Sequence, residues 1–367
     1  MKHNAHLIDL ESAGGLQLAA RSSGFGDETV PAESLATVVL RMDALDDAQV
    51  VRLRRAAEEV SLQPLWRPGA THEQRLFLAG DRRQFHALSA ALQILDPVLA
   101  PELDGLLQAD ARRHWSWSVR GRQLQAGPRT LVMGVLNVTP DSFSDGGRHA
   151  DPGRAVEHGL EMVEAGADLV DVGGESTRPG AARVSAAEES ERVLPVIRAL
   201  ARQSDVTLSV DTSRAAVAAQ ALETGARVVN DISALGFDDA MADVVAKSRA
   251  GLVMMHMQGT PQSMQQTPAY HDVLAEVLAH LREALDRALD AGITPEQVVL
   301  DPGIGFGKGL DHNLTLLRHA GSLRALGRPV LVGTSRKAFV GQITGRPVEQ
   351  RLAGSLGSLA AAVTSGA

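Results

Sequence analysis

From Thr130 onward the chain alternates short apolar runs with helix-length stretches, and this alternation constrains its fold more than any other feature. The runs are Thr130 to Leu136, Leu169 to Val172, Thr207 to Val210, Arg227 to Val229, Leu252 to Met255, Val298 to Leu300 and Val330 to Val332. Strands buried on both faces read as near-continuous apolar runs, and parallel strands need connections long enough to hold a helix. The pattern therefore predicts repeated βαβ units and an α/β fold with a parallel sheet. Each run ends at a polar motif: Asn137, Gly173 to Arg178, Asp211-Thr212-Ser213, Asn230-Asp231, His256-Met257-Gln258, Asp301-Pro302-Gly303 and Gly333 to Lys337. Any one of these could cap a helix, and Asp211, before Ser213 and Arg214, is a reasonable N-cap taken alone. Together they match a (β/α)8 TIM barrel, whose catalytic groups lie on the loops at the C-terminal face of the strands.

The rest of the chain divides near residue 120. Residues 1–30 are rich in Gly, Ser and Ala and are expected to be flexible. Residues 31–96 read as a small α+β domain of ferredoxin-like type: strand Thr37 to Met42, helix Asp46 to Val60, strands Leu62 to Trp66 and Arg75 to Ala79, and helix Arg82 to Leu95. Pro97, Pro101 and Gly105 mark residues 97–114 as a linker. Trp115 to Arg120 and Gln123 to Gln125 flank Gly121 as a hairpin that opens the barrel region, 115–367.

Composition excludes several function classes. The 367 residues contain no cysteine, which removes disulfides, thiolate metal sites and a cysteine nucleophile. A formal charge of -8 without an arginine patch argues against nucleic acid as a partner. No apolar run reaches the roughly 18 residues of a membrane span and the start has no signal-peptide core, so the expected location is cytoplasmic, with no membrane partner.

The polar motifs carry a more specific message. MGVLNVTPDSFSDGG at 133–147, GGESTRPGA at 173–181, SVDTS at 209–213, NDIS at 230–233, MHMQGTPQ at 255–262, DPGIGFGK at 301–308 and TSRKAF at 334–339 occur in this order. From about Arg120 to the last residue the chain resembles the dihydropteroate synthases, pterin-binding TIM-barrel enzymes of folate biosynthesis and targets of sulfonamides. The resemblance implies a transferase that displaces diphosphate from the methylene carbon of a dihydropterin diphosphate, with the amine of p-aminobenzoate as nucleophile. It implies Mg2+, held by Asn137 beside diphosphate oxygens and water, and a possible homodimer. Asp211, Asn230 and Asp301 would recognise the pterin edge, Ile232 and Met255 would face its ring, and Lys337 would bond its rim. Asp211, Lys337 and Arg178 would be the catalytic groups. Phe143, Thr177, Arg178, Pro179, Phe306 and Ser335 would shape the aminobenzoate and loop side. In many family members a serine follows the lysine of the SRK motif, where this chain has Ala338. The run Gly303 to Lys308 lacks the Ser or Thr and the spacing of a nucleotide P-loop.

Only seven strand-loop units are legible, so the expected barrel is truncated before strand 8. Family members continue with an Arg-x-His-Asp strand and a last helix, whereas Leu352, Leu356, Leu359 and Val363 form the last apolar helical face here. Three readings therefore stand on sequence: the synthase, a methyltetrahydrofolate-corrinoid methyltransferase of the same superfamily, and a noncatalytic pterin-binding protein. Loop 137–147 and Ser335-Arg336-Lys337 favour the first.

Overall fold

The computed structural model describes residues 3–9, 38–68, 74–139, 151–176 and 184–367. In the N-terminal module, strands β1 (His6–Asp9), β2 (Val38–Leu45), β3 (Gln63–Pro68) and β4 (Gln74–Gly80) form an antiparallel sheet in the order β1-β2-β4-β3. Helices α1 (Asp47–Glu59) and α2 (Arg82–Leu95) each begin at a reciprocal cap, Asp46 with Gln49 and Asp81 with Gln84. Each carboxylate and amide pair satisfies two amides that the first helical turn would leave open.

Two expectations change here. The edge strand of the sheet comes from His6–Asp9, inside the segment expected to be flexible. Leu7 and Ile8 are buried there, and the edge of β2 satisfies the backbone. Residues 10–37 lie outside the described residues. The expected linker holds helix α3 (Leu99–Ala111), which packs against α2. Asp96 accepts the Val98 and Leu99 amides, and Leu99, Leu103, Leu106 and Leu107 fall on one buried stripe. Pro101 sits in the first turn, where no intrahelical amide is needed.

Strands β5 (Trp115–Val119) and β6 (Arg122–Ala126) form the expected hairpin. Its two turn residues, Arg120 and Gly121, both have positive φ, at 47° and 80°, as a tight turn matching strand twist requires. Trp117 and Val119 pack with Leu169, Val228, Val253 and Val299, which lie at or near the N-terminal ends of four parallel strands, and close that end of the sheet. A Cβ on Gly251 would stand 2.6 Å from Val119, so the plug requires glycine there.

The parallel sheet runs β7 (Met133–Asn137), β8 (Leu169–Gly173), β9 (Thr207–Asp211), β10 (Val228–Asp231), β11 (Gly251–Met255), β12 (Val298–Asp301). Val330 bridges to Leu300 in parallel as a seventh strand position. Spatial order follows chain order without reversal, the winding of a (β/α) barrel; a doubly wound sheet reverses at a switch point. The helices between the strands are α4 (Pro152–Glu164), α5 (Ala186–Gln203), α6 (Ala215–Thr224), α7 (Met241–Ser248), α8 (Val273–Asp290) and α9 (Leu310–Arg318). Then come α10 (Ala338–Thr344) and α11 (Leu352–Thr364), and no eighth parallel strand occurs among the described residues. The expected apolar face of α11 is turned outward: Leu352, Leu356 and Leu359 are exposed, while Ser355 and Ala362 are buried.

Module and barrel are joined by buried polar contacts. Arg41, 1% exposed, pairs with Asp43 and with Asp272, the N-cap of α8. The Ser322 hydroxyl donates to the Leu7 carbonyl at 2.7 Å, and Asn4 donates to the Ala275 carbonyl at 3.2 Å.

Candidate active site

The register of the parallel strands sets Asn137, Gly173, Asp211 and Asn230 side by side, one from each of four consecutive strands, at the C-terminal end of the sheet. On the next two strands, Met255 of β11 is paired with Asp301 of β12 at the same end. Gly173 keeps the row open: a Cβ there would stand 3.5 Å from Asp211 Oδ2 and 3.7 Å from Asn137 Oδ1, so both side chains lean over the same spot.

The row is strongly acidic. Burial, then the neighbouring carboxylates of Asp171, Glu189, Asp231 and Glu175, push the Asp211 carboxyl well above the usual range. Asp211 does not cap α6, as its position before Ser213 allowed; the Ala215 amide is met by Asp238 at 2.8 Å. Asp231 faces away from the row and caps the following turn through the Ser233 and Leu235 amides. Asn230 donates its amide to Asp171 Oδ2 at 2.8 Å. Arg214 balances the outer acids, pairing with Glu175 at 2.5 Å and with Glu189.

Beside this row lies an apolar cluster of Ile232, Met255, Met257 and Met264 with Phe306 packed against it. Lys337 Nζ sits 4.3 Å from the centre of the Phe306 ring and donates to the Ile304 carbonyl at 2.7 Å. Burial lowers the Lys337 pKa to about 8, opposed by Asp301 and Asp211, which places this ammonium in the field of both carboxylates. Asp301 is buried, accepts the Gly303 amide at 2.7 Å through Oδ1, and has its pKa raised by burial. Gly303, at φ +69°, cannot carry a side chain, because its Cβ would fall 1.9 Å from the His256 carbonyl oxygen.

The loop from Gly303 to Lys308 is held from several sides. Gln265 donates to the Gly305 carbonyl, Tyr270 to that of Gly307 and Lys308 to that of Phe306, at 2.7, 2.8 and 2.9 Å. Lys308 also meets His256 Nδ1 at 2.9 Å. Burial lowers the Lys308 pKa to about 7, and burial with the Lys308 charge holds His256 near 2, leaving a neutral ring to accept from the lysine. Lys308 is thus a fastener of the loop.

The expected residues Asn137, Asp211, Asn230, Ile232, Met255, Asp301, Phe306 and Lys337 all fall in this region. Ser335 is exposed, and no hydrogen bond ties it to the others among the described residues. Phe143, Thr177, Arg178 and Pro179 lie outside the described residues. Sequence reading missed Asp171, Met257 and Met264. Met257 sits inside MHMQGTPQ and was open to notice; Asp171 is the lone acid in the strand LVDVG, and its partner Asn230 lies on a different strand.

Among the described residues no cluster of three His, Cys, Asp or Glu forms a metal cage. Asn137, exposed at a strand end with its oxygen beside Asp211, fits an ion held mainly by substrate oxygens and water.

Comparison with known proteins places this geometry. The model of the pterin binding enzyme family matches residues 133–367. Dihydropteroate synthase of Synechocystis is 46% identical over 242 residues, covering 66% of this chain and 84% of that protein. The enzyme of Escherichia coli K12 is 47% identical over 236 residues, covering 64% and 83%. Among solved structures, Yersinia pestis dihydropteroate synthase in a sulfonamide drug complex superposes with a TM-score of 0.65 at 46% identity, covering 69% of this chain and 91% of that one. The Xanthomonas albilineans enzyme in complex with 7,8-dihydropteroate gives 0.62 at 44% identity, covering 69% and 90%. The chain belongs to the pterin binding enzyme family, among the dihydropteroate synthases.

Proposed function

We propose that this protein condenses (7,8-dihydropterin-6-yl)methyl diphosphate with p-aminobenzoate, giving 7,8-dihydropteroate and diphosphate. The observation that carries the reading is the meeting of strand-end acceptors Asp211, Asn230 and Asp301 with the apolar Ile232, Met255 and Phe306 and the half-buried Lys337. A pterin needs this combination: hydrogen-bond acceptors for its N–H edge and apolar walls for its faces. The methyltransferase alternative shares the strand-end acids, but the Asn137 loop and the Lys337 motif favour the synthase.

In the reaction the bond from the methylene carbon to diphosphate oxygen breaks, the electron pair leaves with diphosphate, and the amine nitrogen bonds to carbon and loses a proton. No protein nucleophile is required. Asp301 and Asn230 would hold the pyrimidine side of the ring. Asp211 sits where neighbouring carboxylates already make a negative field, and positive charge developing on the ring relieves that repulsion. Lys337 would bond the ring rim. Thr177, Arg178, Pro179 and Phe143 would shape the aminobenzoate side, with Arg178 acting on the reacting groups. Asn137 would hold Mg2+, whose contribution when bound is to neutralise diphosphate charge. A cytoplasmic location and a homodimer complete the proposal.

Diphosphate release is the test: the protein should release it only when p-aminobenzoate and the dihydropterin diphosphate are both present, with dihydropteroate formed in equal amount. Release without the arylamine, or methyl transfer from a folate in its place, overturns the reading.

A further inference from the structure

An asparagine amide presents nearly the same shape with its oxygen and nitrogen exchanged, so a pocket that uses one must fix which end points where. Asn230 has such a fixed partner. Its Nδ2 donates to Asp171 Oδ2 at 2.8 Å, a bond that spans from β10 to β8 across the intervening β9. The β9 residue in register with Asp171 is Ser209, fully buried and small, which leaves room for the two flanking side chains to meet. Asp171 is itself 2% exposed. With the amide turned over, two oxygens would abut in a buried site, where an unmet polar group costs more than a formed bond gains.

We infer that Asp171 is a positioning residue that locks the Asn230 amide with its oxygen toward the ligand, so that this part of the pocket selects a heterocycle edge bearing N–H donors. The inference rests on the proposed reading of Asn230 as a pterin contact. It makes Asn230 an acceptor like Asp211 and the free oxygen of Asp301, so the site has three acceptors for a donor-rich edge and discriminates against ring analogues that present a lone pair there.

The decisive experiment is a reciprocal exchange, with KM for the dihydropterin diphosphate, kcat and melting temperature recorded for each variant. Asp171→Asn frees the amide to adopt both orientations and should raise KM by about tenfold, the factor of one hydrogen bond, with a smaller change in kcat. Asn230→Asp sets two carboxylates against each other and should be worse. The double variant Asp171→Asn with Asn230→Asp rebuilds the same bond in the opposite sense and again points an oxygen at the ligand. It should recover KM to about that of the parent. A purely structural role for Asp171 would lower melting temperature without changing KM, and a double variant no better than Asn230→Asp overturns the inference. Where a single variant fails to fold, the parent protein decides: by NMR, the Asn230 side-chain amide protons should be protected from exchange and should hardly shift when a hydroxymethyl pterin binds. Rapid exchange, or a large shift on binding, overturns it. A parent that binds no pterin counts against the proposed function, while the exchange protection still reports on the Asp171 contact.

Discussion

The two ends of the parallel strands are built on opposite principles. At the N-terminal end a hairpin inserts Trp117 and Val119 among Leu169, Val228, Val253 and Val299, with the single indole N–H satisfied by the Gln297 carbonyl at 2.8 Å. Toward the C-terminal end Asp171, Asp301 and Lys308 are buried and Asp211 and Lys337 half-buried, and desolvation moves each toward its neutral form. One end contributes stability and the other spends it on a site. The division matches the general behaviour of barrels, where residues beneath the sheet hold the fold and residues above it do chemistry.

Four measurements break or sharpen this contrast. The largest effect belongs to the plug: Trp117→Ala should cost about 3 to 5 kcal/mol of unfolding free energy, read by denaturant titration. The activity of its folded fraction should stay near that of the parent. A loss below about 1 kcal/mol would show that the hairpin is a decoration.

Asp301→Asn should do the reverse. Pterin affinity should fall by about 1 to 3 kcal/mol, because a buried acceptor becomes mismatched, while the melting temperature should hold or rise. Calorimetric titration with a hydroxymethyl pterin checks the first part, and equal affinity in both proteins would remove Asp301 from ring recognition.

The third measurement uses pH. The Lys337 pKa is lowered from 10.5 to about 8, so between those values the unfolded chain holds more protons than the folded one. Unfolding free energy from this group therefore rises with pH across that window, while the ammonium needed at the pterin rim is lost from pH 8 upward. Binding and stability should thus move in opposite directions between pH 8 and 10.5, and Lys337→Met should flatten both trends. Parallel trends in the parent would contradict the assignment.

The smallest change is expected from Asn137→Ala, whose side chain is exposed and neutral. Turnover should fall and recover in part at higher Mg2+, since substrate oxygens and water make up most of such an ion's shell. A rate independent of Mg2+ in both proteins would remove Asn137 from metal binding.

Much of this contrast was legible in the sequence, for a physical reason. A parallel strand reports itself as an apolar run, and the residue at which it leaves the sheet is free to be polar, so Asn137, Asp211, Asn230 and Asp301 stand out at run ends. Asp171 did not stand out, because it lies inside a run and its partner Asn230 is 59 residues away. The helix Leu99–Ala111 was hidden by Pro97, Pro101 and Gly105, although its leucines keep helical spacing. The strand His6–Asp9 is too short to show a period and owes its form to the open edge of β2. The outward face of α11 shows the converse: spacing identifies an apolar stripe but not what it meets.

Arg41 carries a consequence for cooperativity. Its guanidinium is anchored in the N-terminal sheet by Asp43, lies 5.6 Å from the Phe77 ring centre, and reaches across to the carboxylate that starts α8 of the barrel. The Arg41 charge, with the Ala275 amide, holds the Asp272 carboxyl below its ordinary range despite burial. Unfolding either unit alone would strand a buried ion whose partner has gone, an outcome that costs about 3 to 5 kcal/mol. The module and the barrel are therefore expected to share one calorimetric transition at neutral pH, and to part into two only in acid, once Asp272 takes up its proton.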